Sequence, residues 1–141
     1  MFQQLAADEG RLTLLKLGLT YIATLCINHA MKLEKELVAA SSTALILSIL
    51  SEGDSYGYAI IQRVRELSDG EIEWTDGMLY PVLHWLEDQE QVSSRWTKAE
   101  TGRRRKYYSL QPKGRQALRE QKEQWTVVTS TLKHLWKPHH A

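Results

Sequence analysis

The segment TGRRRKYYSL, residues 101–110, places a glycine and four consecutive cations directly before two tyrosines. By itself, such a run is typical of a solvated loop. Its neighbours favour a hairpin, because QVSSRWT (91–97) and RKYYSL (105–110) are rich in residues that prefer strands. Gly102 can adopt the positive φ of a tight tip. The cations from residue 103 onward would then enter the second strand and point alternately to its two faces.

Three helices are predicted before this hairpin. Apolar spacing, caps and glycine stops set their limits. The first is long and ends at Gly53, the second has Asp54 and Ser55 as caps and stops at Gly70, and the third has Thr75 or Asp76 as cap. Their sequences are MKLEKELVAASSTALILSILSEG (31–53), DSYGYAIIQRVRELSDG (54–70) and WTDGMLYPVLHWLEDQE (74–90).

A fourth and longest helix is predicted after the hairpin, from Pro112 near its first turn to a stop at Pro138. Three helices, a two-stranded ribbon and a further helix are the element order of a winged helix-turn-helix. We therefore predict a mainly α fold with a small β-hairpin and a long C-terminal dimerisation helix. The predicted parts are an N-terminal extension (1–30), a winged helix-turn-helix DNA-binding domain (31–111) and a dimerisation helix with its tail (112–141).

The N-terminal extension contains LTLLKLGLTYIATLCI (12–27), an apolar run of 16 residues interrupted by Lys16. A membrane-spanning helix needs about 20 residues, so we expect no membrane partner, with a tether through residues 12–27 as the alternative. Its acidic start is also unlike a secretory signal. Two alternatives stay open for residues 1–30: an extra helix, or an upstream stretch from a misplaced start codon with Met31 as the true start.

Helical geometry selects candidates for DNA contact on the third helix. If Leu79, Val82, Leu83 and Leu86 face the core, then Gly77, Tyr80 and His84 lie on the opposite side, where the helix start reaches base edges. Residues near helix starts would donate hydrogen bonds to phosphates, and the wing cations would neutralise phosphates. The predicted DNA-binding residues are Ser55, Tyr58, Thr75, Gly77, Tyr80, Arg103, Arg104, Arg105 and Lys106.

Other roles compete for several aromatic side chains. Core packing is the alternative for Tyr58, and packing against the wing is the alternative for Tyr80. We interpret Trp74, Trp85 and Trp96 as packing within the helix-turn-helix and the wing.

The last helix carries an apolar stripe with alternating spacings of three and four, interrupted by Gln121. Such a stripe needs a partner, and a second copy of the chain is the simplest one. Twofold symmetry would place two recognition helices about 34 Å apart, one turn of duplex. The predicted dimerisation residues are Leu118, Trp125, Val128, Leu132 and Leu135.

Three segments together resemble the PadR family of bacterial transcriptional regulators over about residues 35–137. They are ALILSILSEGDSYGYAIIQRVREL (44–67), GMLYPVLHWLED (77–88) and TGRRRKYYSLQPKGRQAL (101–118). The resemblance implies a homodimeric repressor that binds a palindromic operator and is released by a small molecule or another signal. It also implies dimerisation through the last helix. Some family members stack flat aromatic ligands between tryptophans at the dimer interface, which makes Trp125 a candidate effector-binding residue, with interface filling as the alternative.

Two residues depart from the family pattern. Glu90 stands where the family usually has a glycine, so a non-glycine would have to take a left-handed conformation there, or the turn would differ. Gln111 replaces a common threonine before Pro112 and removes a good cap from the last helix.

Composition and spacing argue against other classes of protein. The chain has 18 Lys and Arg against 17 Asp and Glu, so any attraction to polyanions must be local. Cys26 and the five histidines form no recognisable nucleophile or metal spacing, so we expect no enzyme activity, metal or cofactor. A single cysteine suits a cytoplasmic protein. The alternative function is a winged-helix module that docks proteins without specific DNA binding.

Overall fold

The computed structural model describes residues 33–138 of the chain. The predicted N-terminal extension (1–30) and the last three residues of the tail (139–141) fall outside this range. Within it, four helices and three short strands confirm the predicted element order and the mainly helical fold. They are α1 (Lys35–Glu52), β1 (Ser55–Tyr56), α2 (Gly57–Leu67), α3 (Asp76–Asp88), β2 (Val92–Lys98), β3 (Arg104–Leu110) and α4 (Pro112–Leu135).

One apolar core joins the helices to the sheet. Leu79, Leu83 and Leu86 of α3 are buried, as predicted, and Val82 beside them is half-buried. They pack with buried residues of the other elements, including Ile46, Leu47, Ile60, Val64, Val92 and Tyr108. Each buried leucine contributes about 1.5–3 kcal/mol relative to an exposed one, so the core determines which face of α3 points outward.

The sheet contains a strand that was not predicted. Its order is β1-β3-β2, and Ser55 and Tyr56 pair with Tyr108 and Tyr107 of β3. The prediction that Asp54 and Ser55 cap the second helix is therefore wrong. That helix begins at Gly57, and its N-cap residue is Tyr56. A strand of two residues has no periodicity to detect, so only its distant partner defines it.

The second helix ends at Leu67, three residues before the predicted stop at Gly70. Asp69 and Gly70 both have positive φ, 51° and 82°, and the Gly70 N–H donates to the carbonyl of Arg65 at 2.8 Å. Gly70 thus lies in the turn that follows the helix. Thr75 is the N-cap residue of α3, as one alternative predicted, although its side chain makes no capping hydrogen bond.

The hairpin and the last helix agree with prediction in their main features. β2 and β3 pair from Val92↔Leu110 to Lys98↔Arg104, and Gly102 in the connecting loop has φ 82°. β3 begins at Arg104, so Arg103 belongs to the loop and not to the strand.

Gln111 is the N-cap residue of α4 and makes no capping bond, as expected from its departure from the family pattern. Its side-chain amide donates instead to the Ser93 hydroxyl at 2.6 Å.

The turn between α3 and β2 confirms the expectation for Glu90, which has φ 58°. The Gln91 N–H donates to the carbonyl of Leu86 at 2.9 Å, closing a glycine-type helix end around a residue that has a side chain. The Glu90 carboxylate accepts a hydrogen bond from the Lys113 ammonium, and this hydrogen bond lowers the pKa of Glu90.

Replacing Glu90 by glycine is expected to raise the melting temperature by about 4 °C, because glycine adopts a left-handed φ without the steric cost of Cβ. The lost contact with Lys113 is solvent-exposed and weighs little against this gain. Glu90→Ala is the matched control, since it removes the contact and keeps Cβ. Calorimetry showing the same melting temperature for Glu90→Gly and Glu90→Ala would contradict the explanation.

Candidate nucleic-acid interface

A groove of about 830 Å³ lies between the start of α2, the outward face of α3 and the hairpin. The core packing described above aims this face of α3 at the groove. Many of the predicted DNA-binding side chains come together there. The predicted residues that line the groove are Tyr58, Tyr80, Arg103, Arg104, Arg105 and Lys106. The other lining residues are Tyr56, Gly57, Asp76, His84, Trp96 and Tyr108.

Three predicted residues lie outside this lining. Thr75 and Gly77 are exposed at the start of α3, and Ser55 is half-buried in β1. The first turn of α3 presents backbone N–H groups that no intrahelical carbonyl satisfies, which suits an anionic ligand. Asp76 occupies the same turn, so an anion approaching it would also meet a carboxylate.

Tyr80 is half-buried and lies against the start of α2. A Cβ added at Gly57 would lie 2.5 Å from its hydroxyl oxygen, so Gly57 permits the close approach of the two helices. The Tyr80 ring lies 6.4 Å from that of His84, which is exposed as predicted. Tyr80 therefore presents only part of its surface to the groove.

Tyr58 is 64% exposed, so the alternative that it packs in the core is wrong. It follows Gly57 on the first turn of α2 and lies at the rim of the groove. Its position is compatible with a hydroxyl that donates to a phosphate.

Two of the three tryptophans assigned to packing are in fact exposed. Trp74 is buried, as predicted, but Trp85 is 50% and Trp96 is 60% exposed. Trp96 lies on β2 directly opposite Lys106, and its ring is 5.2 Å from the guanidinium carbon of Arg104. Trp85 lies on α3 outside the groove. Both positions fit an apolar pattern locally, and only the surrounding fold leaves them uncovered.

The wing cations occupy different surroundings. Side chains of β3 alternate between faces, as predicted, and Lys106 faces α3, where its ammonium lies 3.8 Å from the Glu87 carboxylate. Arg105 points to the other face, with its guanidinium carbon 4.5 Å from the centre of the Tyr56 ring. Arg103 is exposed in the loop. Arg104 and Arg105 are thus held by aromatic rings, which leave their N–H groups available to phosphates.

A polar cluster that sequence reasoning missed fixes β1 to the hairpin. Arg95 of β2 donates to the Asp54 carboxylate at 2.7 Å and to the Ser109 hydroxyl at 2.8 Å. The hydrogen bond from Arg95 is the main cause of a lowered pKa for Asp54. The stabilisation is therefore present at neutral pH and is lost as the pH falls through that lowered pKa. The two partners are 41 residues apart, so no local pattern reveals them.

Tyr108 closes the base of the groove. Its side chain is fully buried, and burial, with smaller effects from Tyr80 and Glu87, raises the pKa of its hydroxyl to about 12. It therefore stays neutral at physiological pH. Its hydroxyl oxygen has no hydrogen-bond partner within residues 33–138.

The predicted dimerisation residues divide into two groups along α4. Leu118 is buried in the chain's own core, whereas Val128, Leu132 and Leu135 are exposed and Trp125 is half-buried. Val127 and Trp136 are also exposed. The second half of α4 therefore carries an apolar surface that nothing in residues 33–138 covers, and Leu118 is not part of it.

The described part of the chain contains no helix long and apolar enough to span a membrane. In the same residues, no group of three or more histidine, cysteine or carboxylate side chains is placed to hold a metal ion.

The helix-turn-helix, the hairpin beside α3 and the cation-lined groove together define a winged helix-turn-helix protein. The family model of the transcriptional regulator PadR-like family matches residues 46–120. The chain belongs to this family of transcriptional regulators.

Individual relatives agree with this assignment. The chain is 34% identical over 89 residues to the transcriptional regulator YqjI of Escherichia coli, covering 63% of this chain and 41% of that protein. It thus spans about two fifths of the length of that relative. Among solved structures, a transcriptional regulator from Clostridium thermocellum is 28% identical with a TM-score of 0.67, covering 74% of this chain and 99% of the other. A PadR family transcription regulator from Clostridium difficile is 30% identical with a TM-score of 0.61, and the match covers 69% of this chain and 99% of the other.

Proposed function

We propose that this chain acts as a homodimeric repressor that binds a palindromic operator in duplex DNA and is released by a small molecule or another signal. The observation that carries the proposal is the groove between α3 and the wing, which is lined by four cations in a chain of net charge +1. Charge concentrated at one site supplies the local attraction to phosphates that the whole chain lacks.

In this proposal α3 enters the major groove with its N-terminal half, and Tyr80 and Gly77 lie nearest the base edges. The wing arginines and the hydroxyls of Ser55, Tyr58 and Thr75 contact phosphates, which position the protein without reading sequence. Each phosphate neutralised releases counterions. Affinity should therefore fall steeply with salt, by a slope of about −0.9 per contact in log–log terms.

The uncovered surface of α4 supports the dimer. Trp125, Val128, Leu132 and Leu135 follow one another at spacings of three and four, so they share one face of the helix. Its burial requires a partner, and a second copy brings the identical stripe. Trp125 would also offer a flat apolar ring at that interface, where an aromatic effector would stack.

Replacing Trp125 and Leu132 by aspartate is expected to give monomers and to weaken operator binding by about 100-fold, because each half-site is then bound without the help of the other. Light scattering and fluorescence titration with operator DNA measure the two effects. Thr126→Asp with Ser130→Asp is the matched control, because both residues are exposed on the opposite face of α4, and this variant should remain a dimer. A dimer that survives the Trp125 and Leu132 changes would place the interface elsewhere.

Selection of bound fragments from random duplexes tests the function directly. We expect enrichment of an inverted repeat with half-sites about one helical turn apart. If no sequence is enriched and the protein binds no duplex even at low salt, the proposed function is wrong. The second candidate function, a protein-docking module, is favoured by the exposed Met78 and Trp85 on α3. It predicts that a partner protein remains bound when the wing arginines are removed.

A further inference from the structure

Glu87, near the end of α3, contacts both long strands of the hairpin. One of its carboxylate oxygens accepts a hydrogen bond from the Ser94 hydroxyl of β2. The other lies 3.8 Å from the ammonium of Lys106 on β3. A single carboxylate therefore links α3 to each strand of the wing.

We propose that Glu87 is a positioning residue that sets the angle of the wing relative to α3, with Lys106 as its partner and not a phosphate ligand. This inference rests on the proposed DNA binding. It divides the four-cation run by role: three arginines contact phosphates, and the lysine braces the element that carries them.

The surroundings of the pair separate it from the other charges. The side chains of Lys106 and Glu87 are 28% and 34% exposed, the lowest values among the ion pairs of residues 33–138. Reduced exposure strengthens the attraction and limits screening by salt. The Lys106 ammonium also lies 5.5 Å from the centre of the Tyr108 ring. A phosphate would have to compete with both contacts for the Lys106 ammonium.

The three arginines differ from Lys106 in this respect. Among the described residues, no carboxylate lies within 4.0 Å of the guanidinium groups of Arg103, Arg104 or Arg105. Their charges are not neutralised by the protein, so contact with a phosphate releases counterions in full. A lysine that already has a carboxylate partner contributes little net release.

The contacts of Glu87 with Ser94 and Lys106 span the turn that joins α3 to the wing. β2 follows α3 through Gln89, Glu90 and Gln91, and Glu90 has a left-handed backbone. A short turn of this kind does not by itself set the tilt of the hairpin, whose base is also held by the buried Val92 and Tyr108 and by pairing with β1. Glu87 lies just before the turn and contacts the hairpin just after it. The distance between α3 and the wing must match the duplex, so the tilt affects affinity without any contact to DNA by Glu87.

Charge reversal within the pair tests the proposal. Lys106→Glu alone is expected to weaken operator binding by about 10-fold or more, because two carboxylates then repel and the wing tilts away. Adding Glu87→Lys restores the pair, and we expect the double variant to bind within about threefold of wild type. Arg105→Glu with Glu87→Lys is the matched control, with the same net charge and no restored pair, and should stay weak. A Lys106→Glu, Glu87→Lys variant as weak as this control would overturn the proposal.

Salt dependence gives a second readout with milder substitutions. Lys106→Met keeps the apolar stem and should leave the log–log salt slope unchanged. Arg105→Met should reduce the magnitude of the slope by about 0.9, as expected for the loss of one phosphate contact. If Lys106→Met reduces the slope as Arg105→Met does, then Lys106 is a phosphate ligand and the proposal fails.

A measurement without DNA separates this failure from failure of the proposed function. Amide hydrogen exchange in β2 should become faster in Glu87→Gln and in Lys106→Met, and the double change should add little to either. Circular dichroism confirms that each variant is folded. If the wild-type protein binds no duplex, the proposed function fails. The exchange rates of the single and double variants then still test whether Glu87 and Lys106 act together on the wing. Additive effects of the two changes would show that Glu87 and Lys106 do not act together.

Discussion

Simultaneous replacement of Arg103, Arg104 and Arg105 by alanine is expected to lower operator affinity by at least about 100-fold at physiological salt. Three charge-assisted contacts are removed, each worth about 1.5–3 kcal/mol before compensation, and the magnitude of the salt slope should fall by nearly 3. The melting temperature should hardly change, because none of the three pairs with a carboxylate in the described part of the chain. Gel shifts and titrations at several salt concentrations measure both quantities.

A matched control distinguishes local from global charge. Arg115, Arg119 and Lys122 are exposed on α4, away from the groove, and their replacement by alanine removes the same three positive charges. We expect this variant to retain most of its affinity. If both triple variants lose binding equally, net charge would explain the effect and the wing would have no special role. If the wing variant binds operator DNA as tightly as wild type, the wing arginines of the groove do not contact DNA.

Gly114→Ala is expected to destabilise the fold by about 3 kcal/mol and to lower the melting temperature by more than 10 °C. A Cβ at this position would overlap the backbone carbonyl oxygen of Gln91 and lie 2.7 Å from the Leu110 Cδ1 atom. The carbonyl cannot move away easily, because it also accepts a hydrogen bond from the Gln111 N–H at 2.9 Å. Helix α4 would have to lift from the start of the hairpin.

Gly77→Ala is the control for this change. Gly77 also lies in a helix, but the nearest atom to an added Cβ there is the Thr75 Oγ1 atom, at 3.8 Å. Alanine has the higher helix propensity, so stability should stay the same or rise by up to about 1 kcal/mol. Urea unfolding gives both values on one scale. Equal midpoints for the two variants would mean that α4 does not pack against Gln91 as described.

Local chemistry in the sequence predicted most of the fold. The apolar spacing on α3, the strand-rich stretches around Gly102 and the two prolines that bound α4 each act within a few residues, and all three predictions are confirmed. These features could be predicted because their physical causes lie within one helix turn or one hairpin. The left-handed conformation at Glu90 was one of two alternatives implied by the family resemblance, because the family usually has a glycine there.

The candidate site was predicted only in outline. The cation run and the outward face of α3 were identified, and the structure brings them together in one groove. The sequence did not predict the exposure of Trp85 and Trp96 or the contact of Lys106 with Glu87. Four adjacent cations look equivalent in the sequence, yet alternation along β3 gives them different neighbours.

The sequence by itself determined the order of the four helices and the two hairpin strands, the helix faces that enter the core and the local concentration of positive charge. Periodicity and turn chemistry suffice for these, because they depend on neighbouring residues. Only the tertiary structure decided that Ser55 and Tyr56 form a strand, that Asp54 binds Arg95, and that Lys106 faces a carboxylate while Arg105 faces a tyrosine. Such contacts join residues far apart in the chain, and their geometry exists only once the core has brought the helices and the sheet together.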